Sequence, residues 1–307
     1  MSFAVKPCLT CLRRAPRRPV CNWTRVWGGS PFNVAVGLAR LSQPVCLLTQ
    51  ISRGFLGERL MRALQTEGVN TDAVQRSDAP TTMSLVGLDA QGVPSYAFYG
   101  EACADRLLTA EALEALPVGV RAINFGSYTT VIGSTAVTQR KLVEREHERV
   151  LIAYDPNIRL NVEPDLAVWR AQIQWMLPRT HLLKISEEDL HAVYPGRTLD
   201  ALATEAIAQG VACVTVTRGG EGAMAWTRTE HVVSPSVPVE VVDTVGAGDT
   251  FQAAMLSWLA ENNALRADAL AAIDSPTLRE ALAFSGRAAA ITCGRRGADM
   301  PRRADLR

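Results

Sequence analysis

The run Val242-Asp243-Thr244-Val245-Gly246-Ala247-Gly248-Asp249-Thr250-Phe251 holds the residue types and spacing in this chain best suited to chemistry. Two glycines one residue apart let backbone N–H groups converge on a ligand with no side chain between, and a helix starting there adds positive potential. Gly246, Ala247 and Gly248 therefore read as a small anion hole. Asp249 is then peculiar, because a carboxylate in such a hole repels a resting phosphate unless its task is to take a proton beside one. General-base chemistry next to a transferring phosphoryl group meets both conditions. The plainer alternative is a turn whose aspartate only caps the helix.

The elements on either side must hold that turn in place. Val237 to Val242 is β-branched and predicts a strand, while Phe251, Ala254, Met255, Trp258 and Leu259 fall at i, i+3, i+4, i+7 and i+8, which predicts a helix packed on a core. Near the start, Gly28-Gly29-Ser30-Pro31-Phe32-Asn33 opens a second helix, with Ser30 as N-cap and Pro31 at its first position. Paired glycines also permit close approach of a ligand, and Asn33 offers a donor and an acceptor, which suits a polyol.

Between these ends, Val45 to Ile51 predicts a strand, Gly57 to Gln65 a helix and Val69 to Val74 a short extended return. Thr81 to Leu88 and Val93 to Tyr99 are β-rich runs joined by Asp89-Ala90-Gln91-Gly92, a hairpin outside the main sheet. Its Tyr96, Phe98 and Tyr99 either face a ligand or a partner subunit, or form an ordinary cross-strand cluster. Ala122 to Gly126, Val150 to Tyr154, His181 to Ile185 and Val211 to Thr217 are short apolar runs alternating with helical stretches near 131–148, 164–177, 186–193 and 198–209. That alternation predicts a parallel sheet covered by helices on both faces, with ligands at the carboxyl ends of the strands.

Three further groups sit at such strand ends. Asp155-Pro156-Asn157-Ile158-Arg159 either presents alternate side chains to one cleft or makes a proline turn with a surface salt bridge. Lys184-Ile185-Ser186-Glu187-Glu188-Asp189 ends a strand and starts a helix, with Ser186 a natural N-cap and three acids in the first turn. Thr215 to Ala223 is a strand, a glycine-rich turn and a second strand, with room for a nucleotide against the backbone.

The chain has 307 residues, 48% of them apolar, enough for one large α/β core or two smaller ones. With 32 basic against 31 acidic residues, nucleic acid and membrane surfaces are not expected partners. No apolar run approaches a membrane span and no N-terminal stretch has a signal-peptide core, so a soluble, cytoplasmic protein is expected. Seven cysteines, an odd number, read as free thiols; Cys8 and Cys11 have no second pair at zinc-like spacing. No Gly-x-Gly-x-x-Gly follows an early strand, which sets aside a dinucleotide-binding dehydrogenase.

The string from Asp243 to Phe251 resembles the C-terminal signature of the ribokinase-like (PfkB-type) carbohydrate kinases, Asp-Thr-x-Gly-Ala-Gly-Asp-x-Phe, at every fixed position. From Gly28 to about Leu306 the landmarks follow that family's order. The resemblance implies a three-layer α/β fold over 28–307, with a mostly parallel central sheet and a small β lid at about 79–104 that also suits a dimer contact. It implies ATP-dependent phosphorylation of a primary sugar hydroxyl, with Asp249 as base and Gly28, Gly29 and Asn33 at the sugar.

Asp-x-Asn-x-Arg and Lys-x-Ser are similar to fructokinases. By that likeness Asn157 and Arg159 face sugar or transferred phosphate, Trp169 supplies the tryptophan that often follows, and fructose is the acceptor. 2-Keto-3-deoxygluconate, ribose or a nucleoside are the alternatives. For ATP the resemblance implies Lys184, Ser186, Thr217, Gly219, Gly222, Ser285 and Gly286, together with Gly246 and Gly248. The family's Asn-x-x-Glu, which organises Mg2+ through water, is replaced by Ser186 and Asp189, with Glu188 as a substitute carboxylate. A monovalent cation, commonly K+, is implied at Asp243, Val245, Thr292, Arg295 and Gly297.

Residues 1–27 depart from the family pattern. Lys6, Arg13, Arg14, Arg17, Arg18 and Arg25 are offset by no acid, and Pro7, Pro16 and Pro19 break any period. The family's first core strand and its sugar-binding carboxylate belong here, so Lys6 to Asn22 reads as a frame-shifted translation. A catalytically impaired sugar or nucleotide binder is the corresponding alternative.

Overall fold

The computed structural model describes residues 3–8, 22–88 and 94–306, with the side chains of 1–27 and 85–96 outside the description. In chain order the strands are β1 (Phe3–Cys8), β2 (Asn22–Trp27), β3 (Thr49–Ser52), β4 (Val74–Ser77), β5 (Met83–Leu88), β6 (Pro94–Tyr99), β7 (Ala122–Gly126), β8 (Leu151–Asp155), β9 (Leu182–Ser186), β10 (Cys213–Thr217), β11 (Ala223–Trp226) and β12 (His231–Ser234). The helices are α1 (Ser30–Arg40), α2 (Phe55–Thr66), α3 (Gly133–Glu146), α4 (Leu166–Met176), α5 (Glu187–Val193), α6 (Leu199–Ala208), α7 (Ala247–Glu261), α8 (Ala267–Ala271) and α9 (Ser275–Cys293).

Six strands form the central sheet in the order β12-β11-β10-β9-β8-β7. β7 to β10 run parallel, and β11 and β12 return antiparallel. Side chains alternate across this sheet, so each strand feeds two cores. Ile152, Tyr154, Leu183, Ile185, Val214 and Val216 bury one face against Leu142 of α3, Trp169 and Ile173 of α4, and Ala203 of α6. Leu151, Ala153, Leu182 and Cys213 bury the other against Phe251, Met255 and Leu259 of α7 and Leu278 and Leu282 of α9. This is the expected three-layer α/β arrangement. A third core, around Phe32, Val36, Ile51, Leu60 and Leu64, joins α1 and α2 to the β3-β4 pair.

Three local expectations change. Val237 to Val242 forms no strand: Pro235 and Pro238 lack the N–H a ladder needs, and Val241 and Val242 stay exposed. The strand expected over Val45 to Ile51 narrows to β3, with only an isolated bridge from Cys46 to Asn70 before it. Gly29, not Ser30, is the N-cap of α1, which frees the Ser30 hydroxyl for another partner.

The hairpin expected outside the main sheet is β5-β6, and it belongs to a four-stranded sheet ordered β2-β1-β5-β6. β1 pairs parallel to β5 through Phe3↔Met83 and antiparallel to β2. The N-terminal strand therefore extends the lid, and among the described residues β7 is the outer edge of the central sheet. Most of the segment that reads as frame-shifted, Lys6 to Asn22, lies outside the described residues.

α1 and α7 cross closely because Gly37 has no side chain at the contact. A Cβ there would lie 2.8 Å from Ala253 Cβ and 2.8 Å from Met300 Sδ. One helical turn earlier on each helix stand Asn33 and Asp249, so the same crossing brings those two side chains together.

Candidate active site

Asp249 sits in the first turn of α7 and is only 8% exposed. Its Oδ1 accepts from Ser30 Oγ at 2.6 Å and its Oδ2 from Asn33 Nδ2 at 2.7 Å. Asn33, the residue expected at the sugar, thus gives its amide N–H to the aspartate. The Oδ1 of Asn33 faces Gly28, whose own Cβ position would lie 3.4 Å away. Ser30 is a site residue that the sequence presented only as a cap.

The glycine turn is built around Gly246, the N-cap of α7, at φ 82°. Ala247 N–H turns inward to the Thr244 carbonyl at 3.2 Å, which removes it from the expected anion hole. The N–H groups of Gly246 and Gly248 have no backbone partner among the described residues and remain for a ligand. Thr250 locks the turn from behind: its N–H and hydroxyl donate to the Gly246 carbonyl at 2.8 and 2.9 Å, and its hydroxyl also meets Thr292 Oγ1 at 2.9 Å.

Beneath the turn lies a buried ion pair. Lys184 Nζ, from the end of β9, donates to Asp155 Oδ2 at 2.7 Å, from the end of β8, and both side chains are almost fully enclosed. A Cβ on Gly248 would lie 3.0 Å from Lys184 Nζ, so the ammonium rests against the backbone of the anion hole. The second oxygen of Asp155 is buried without a partner. Of the three alternating side chains that Asp155 to Arg159 offers, Asp155 is the one paired with Lys184, which spacing alone does not tell.

Electrostatics tie these groups together. Burial holds the Asp249 carboxyl above its ordinary range, the hydrogen bonds from Ser30 and Asn33 pull it back, Asp155 raises it and Lys184 lowers it. Asp189 is likewise raised, first by burial and then by Asp155, with Arg159 acting in the opposite sense. We expect Ser30→Ala to move the acid limb of the pH–rate profile upward. Removing a donor to the carboxylate raises its pKa further, and the base works only when deprotonated. Turnover well above that limb should change by less than about tenfold. A limb that stays put or moves down would contradict the role given to Ser30.

The other expected residues fall into separate groups. Asn157 follows β8 in a left-handed conformation at φ 43°, a costly state for a residue with a side chain. Arg159 is exposed and donates to the Ile158 carbonyl at 2.7 Å. Trp169 is fully buried in the core, its indole N–H on the Glu163 carbonyl at 2.9 Å, so it takes no part in the site. Phe98 packs edge-to-face on Tyr128 at 5.4 Å, Tyr99 is exposed, and Tyr96 has no described side chain.

On the nucleotide side, Ser186 caps α5 by accepting Asp189 N–H at 3.0 Å. Thr217 ends β10 half-buried, and positions 219 and 220 have nothing within 4 Å of a built Cβ. Gly222 differs: a Cβ there would lie 2.1 Å from the Ser234 carbonyl, so its glycine serves the turn itself. Ser285 is fully buried with its hydroxyl on the Ala281 carbonyl at 2.8 Å. Gly286 borders open space, and a mid-helix glycine with no packing reason costs about 1 kcal/mol. That space suits a flat ligand, and Gly286 rather than the Ser285 hydroxyl is what could face it.

For a divalent cation, Asp189 and Asp155 supply hard oxygen donors whose mutual repulsion an ion would relieve, and one Asp155 oxygen lacks a partner. Glu188 lies on the exposed side of α5 and does not join them. Among the described residues no three His, Cys, Asp or Glu side chains converge to hold an ion directly, so magnesium there would be held through water and phosphate oxygens. For the monovalent cation, two loops are laced together: Asp243 accepts Val245 N–H at 3.1 Å and Gly297 N–H at 2.9 Å, and Asp243 N–H donates to the Cys293 carbonyl. The Thr292 hydroxyl is used within the protein, and the Arg295 guanidinium turns to Asp305, so only carbonyls there could serve an ion.

Residues 13–304 match the pfkB family carbohydrate kinase model. A fructokinase of Rhizobium leguminosarum bv. trifolii is 35% identical over 252 residues, 82% of this chain and 77% of that protein. The fold is shared with a Xylella fastidiosa fructokinase solved with bound ATP (TM-score 0.86, 23% identity, 99% of this chain and 94% of the other). It is shared too with a Vibrio cholerae fructokinase solved with fructose, ADP and calcium ion (TM-score 0.80, 22% identity, the same coverage). With nearly the whole length matched by the family model and a relative 35% identical over most of the chain, this chain belongs to the pfkB family of carbohydrate kinases.

Proposed function

We propose that the protein is a fructokinase, transferring the γ-phosphoryl group of ATP to a primary hydroxyl of fructose. The observation that carries this reading is Asp249: a buried carboxylate of raised pKa, held by Ser30 and Asn33, at the mouth of a turn whose Gly246 and Gly248 amides are free. Asp249 takes the proton of the attacking hydroxyl. The sugar oxygen bonds to the γ-phosphorus in line, the bond from that phosphorus to the β–γ bridging oxygen breaks, and its electron pair leaves with ADP. The two amides hold the phosphoryl oxygens as charge shifts. Magnesium, carried with the nucleotide and reached through water from Asp189 and Asp155, would neutralise phosphate charge; K+ is proposed for the Asp243–Gly297 loops.

Fructose is preferred over ribose or a nucleoside because relatives named fructokinase match over most of the chain. We further propose a cytoplasmic protein that pairs through its lid. The segment Lys6 to Asn22 is proposed to be read out of frame, which leaves β1 in the lid sheet and removes a sugar-binding carboxylate. A coupled ADP-release assay over fructose, 2-keto-3-deoxygluconate, ribose and adenosine tests the reading, run on the chain as given and with the first strand restored. Fructose should give the highest kcat/KM, and restoration should raise it at least about tenfold, the scale of a lost sugar contact. Saturable ATP binding with no turnover on any sugar, restored or not, would instead identify a nucleotide-binding relative that is not a kinase.

A further inference from the structure

Ser127 holds the least comfortable backbone at the strand ends. It follows β7 at φ 64° and ψ −172°, a region nearly closed to any residue with a Cβ and used almost only by glycine. At Gly222 and Gly246 the chain meets positive φ with glycine; here it keeps a serine. Asn157, at the end of the neighbouring strand β8, is also left-handed, but asparagine visits that region far more readily than serine does.

The backbone of Ser127 is tied down on both sides. Its N–H donates to the Asp155 and Pro156 carbonyls at 3.2 and 3.1 Å, and its carbonyl accepts from the N–H and hydroxyl of Thr130 at 3.1 and 2.8 Å. These bonds hold the conformation, but none of them needs the serine side chain. The residue is only 4% exposed, its hydroxyl does not cap the turn that follows, and it has no hydrogen-bond partner among the described residues. A nearly buried hydroxyl without a partner, on a backbone that glycine would fit better, contributes nothing to the fold that accounts for it.

Its place in the fold says what reaches it. The sheet order β10-β9-β8-β7 sets the glycine-rich turn and Ser186 toward one end of the row of strand ends and Ser127 at the other. Gly126 is aligned with Asp155, and Asp155 lies near enough to Asp249 to act on its carboxyl. On its other side Ser127 leads into Tyr128, on whose ring Phe98 of the lid strand β6 packs. Ser127 therefore stands between the base and the root of the lid, away from the nucleotide turn. Resting on the kinase reading above, we propose that Ser127 is a specificity-determining residue whose hydroxyl hydrogen-bonds a hydroxyl of the acceptor sugar. A hydroxyl donates and accepts, so it matches a sugar alcohol in either sense of the bond. The sugar supplies the partner that the protein withholds, and the serine is kept where glycine would be the more stable choice.

Two variants of the full chain separate the hydroxyl from the backbone, each made in whichever N-terminal form turns over faster and read on the acceptor preferred in the assay above. Ser127→Ala removes the hydroxyl and leaves the backbone as it is. KM for that acceptor should rise about three- to tenfold, with kcat within about threefold and KM for ATP unchanged. Its melting temperature should match that of the parent, because no protein partner is lost. Ser127→Gly should show the same rise in KM and melt about 1–4 °C higher, because it relieves the backbone as well. Monodeoxy forms of the acceptor identify the bond: the form lacking the contacted hydroxyl should lose in the parent what Ser127→Ala loses on the intact sugar, and lose no more in the variant. Unchanged KM in both variants, a marked loss of stability in Ser127→Ala, or penalties that multiply for every deoxy form would remove Ser127 from the acceptor site and leave the kinase reading in place. A parent with no turnover on any sugar of the panel would remove both.

Discussion

Asp249→Asn should lower kcat by roughly two to four decades, the usual scale for a general base, while the protein remains folded and binds ATP. Asparagine fits the pocket without an orphan. Its carbonyl oxygen can accept from Asn33 Nδ2, and its amide can donate to Ser30 Oγ, since a hydroxyl serves either role. The variant should also melt higher than the parent at neutral pH. The native carboxyl has a pKa raised above its ordinary value, chiefly by burial, so the folded chain binds that proton more tightly than the unfolded chain does. Ionisation therefore costs stability progressively as pH rises from the ordinary carboxylate value to the raised one, and the cost is complete above it. Asparagine never incurs that cost, so the difference in melting temperature should be near zero in acid and positive at pH 7. ATP consumption unchanged in this variant would remove Asp249 from the mechanism, whatever its effect on melting.

Gly246→Ala should be the most damaging single-methyl change in the site, for two separable reasons. Its backbone stands at φ 82°, where a side chain costs about 1–3 kcal/mol. A Cβ there would also lie 2.5 Å from Ala298 Cβ and 2.9 Å from Ala298 Cα, so the 295–299 loop would have to move. The same glycine supplies one free amide of the anion hole and the carbonyl that Thr250 grips. We expect a stability loss of about 2–4 kcal/mol and a loss of turnover beyond about a hundredfold. Ala298→Gly in the same chain should recover part of the stability, because it removes the nearer contact but not the backbone cost. Full recovery would show that the left-handed turn itself carries little strain.

Much of this protein was legible before any coordinates. The three-layer α/β class, the helices after each strand end and the β5-β6 hairpin follow from the period of apolar residues, which is a local property of the chain. Departures arose where a neighbour decides. Val237 to Val242 has strand residues but no strand to pair with, and Ser30 has cap chemistry but spends its hydroxyl on a residue 219 positions away. Trp169, matched to a fructokinase landmark, turned out to fill the core.

The sequence alone determined the glycine turn and the identity of its aspartate, because tight turns and helix starts are encoded within a few residues. Only the tertiary structure decided which groups surround that aspartate. Asn33 meets Asp249 across 216 positions because Gly37 lets α1 and α7 cross closely. Lys184 meets Asp155 because two parallel strands end in register. Helix crossings and strand register are set by the summed packing of whole faces, so no short stretch of the chain carries them.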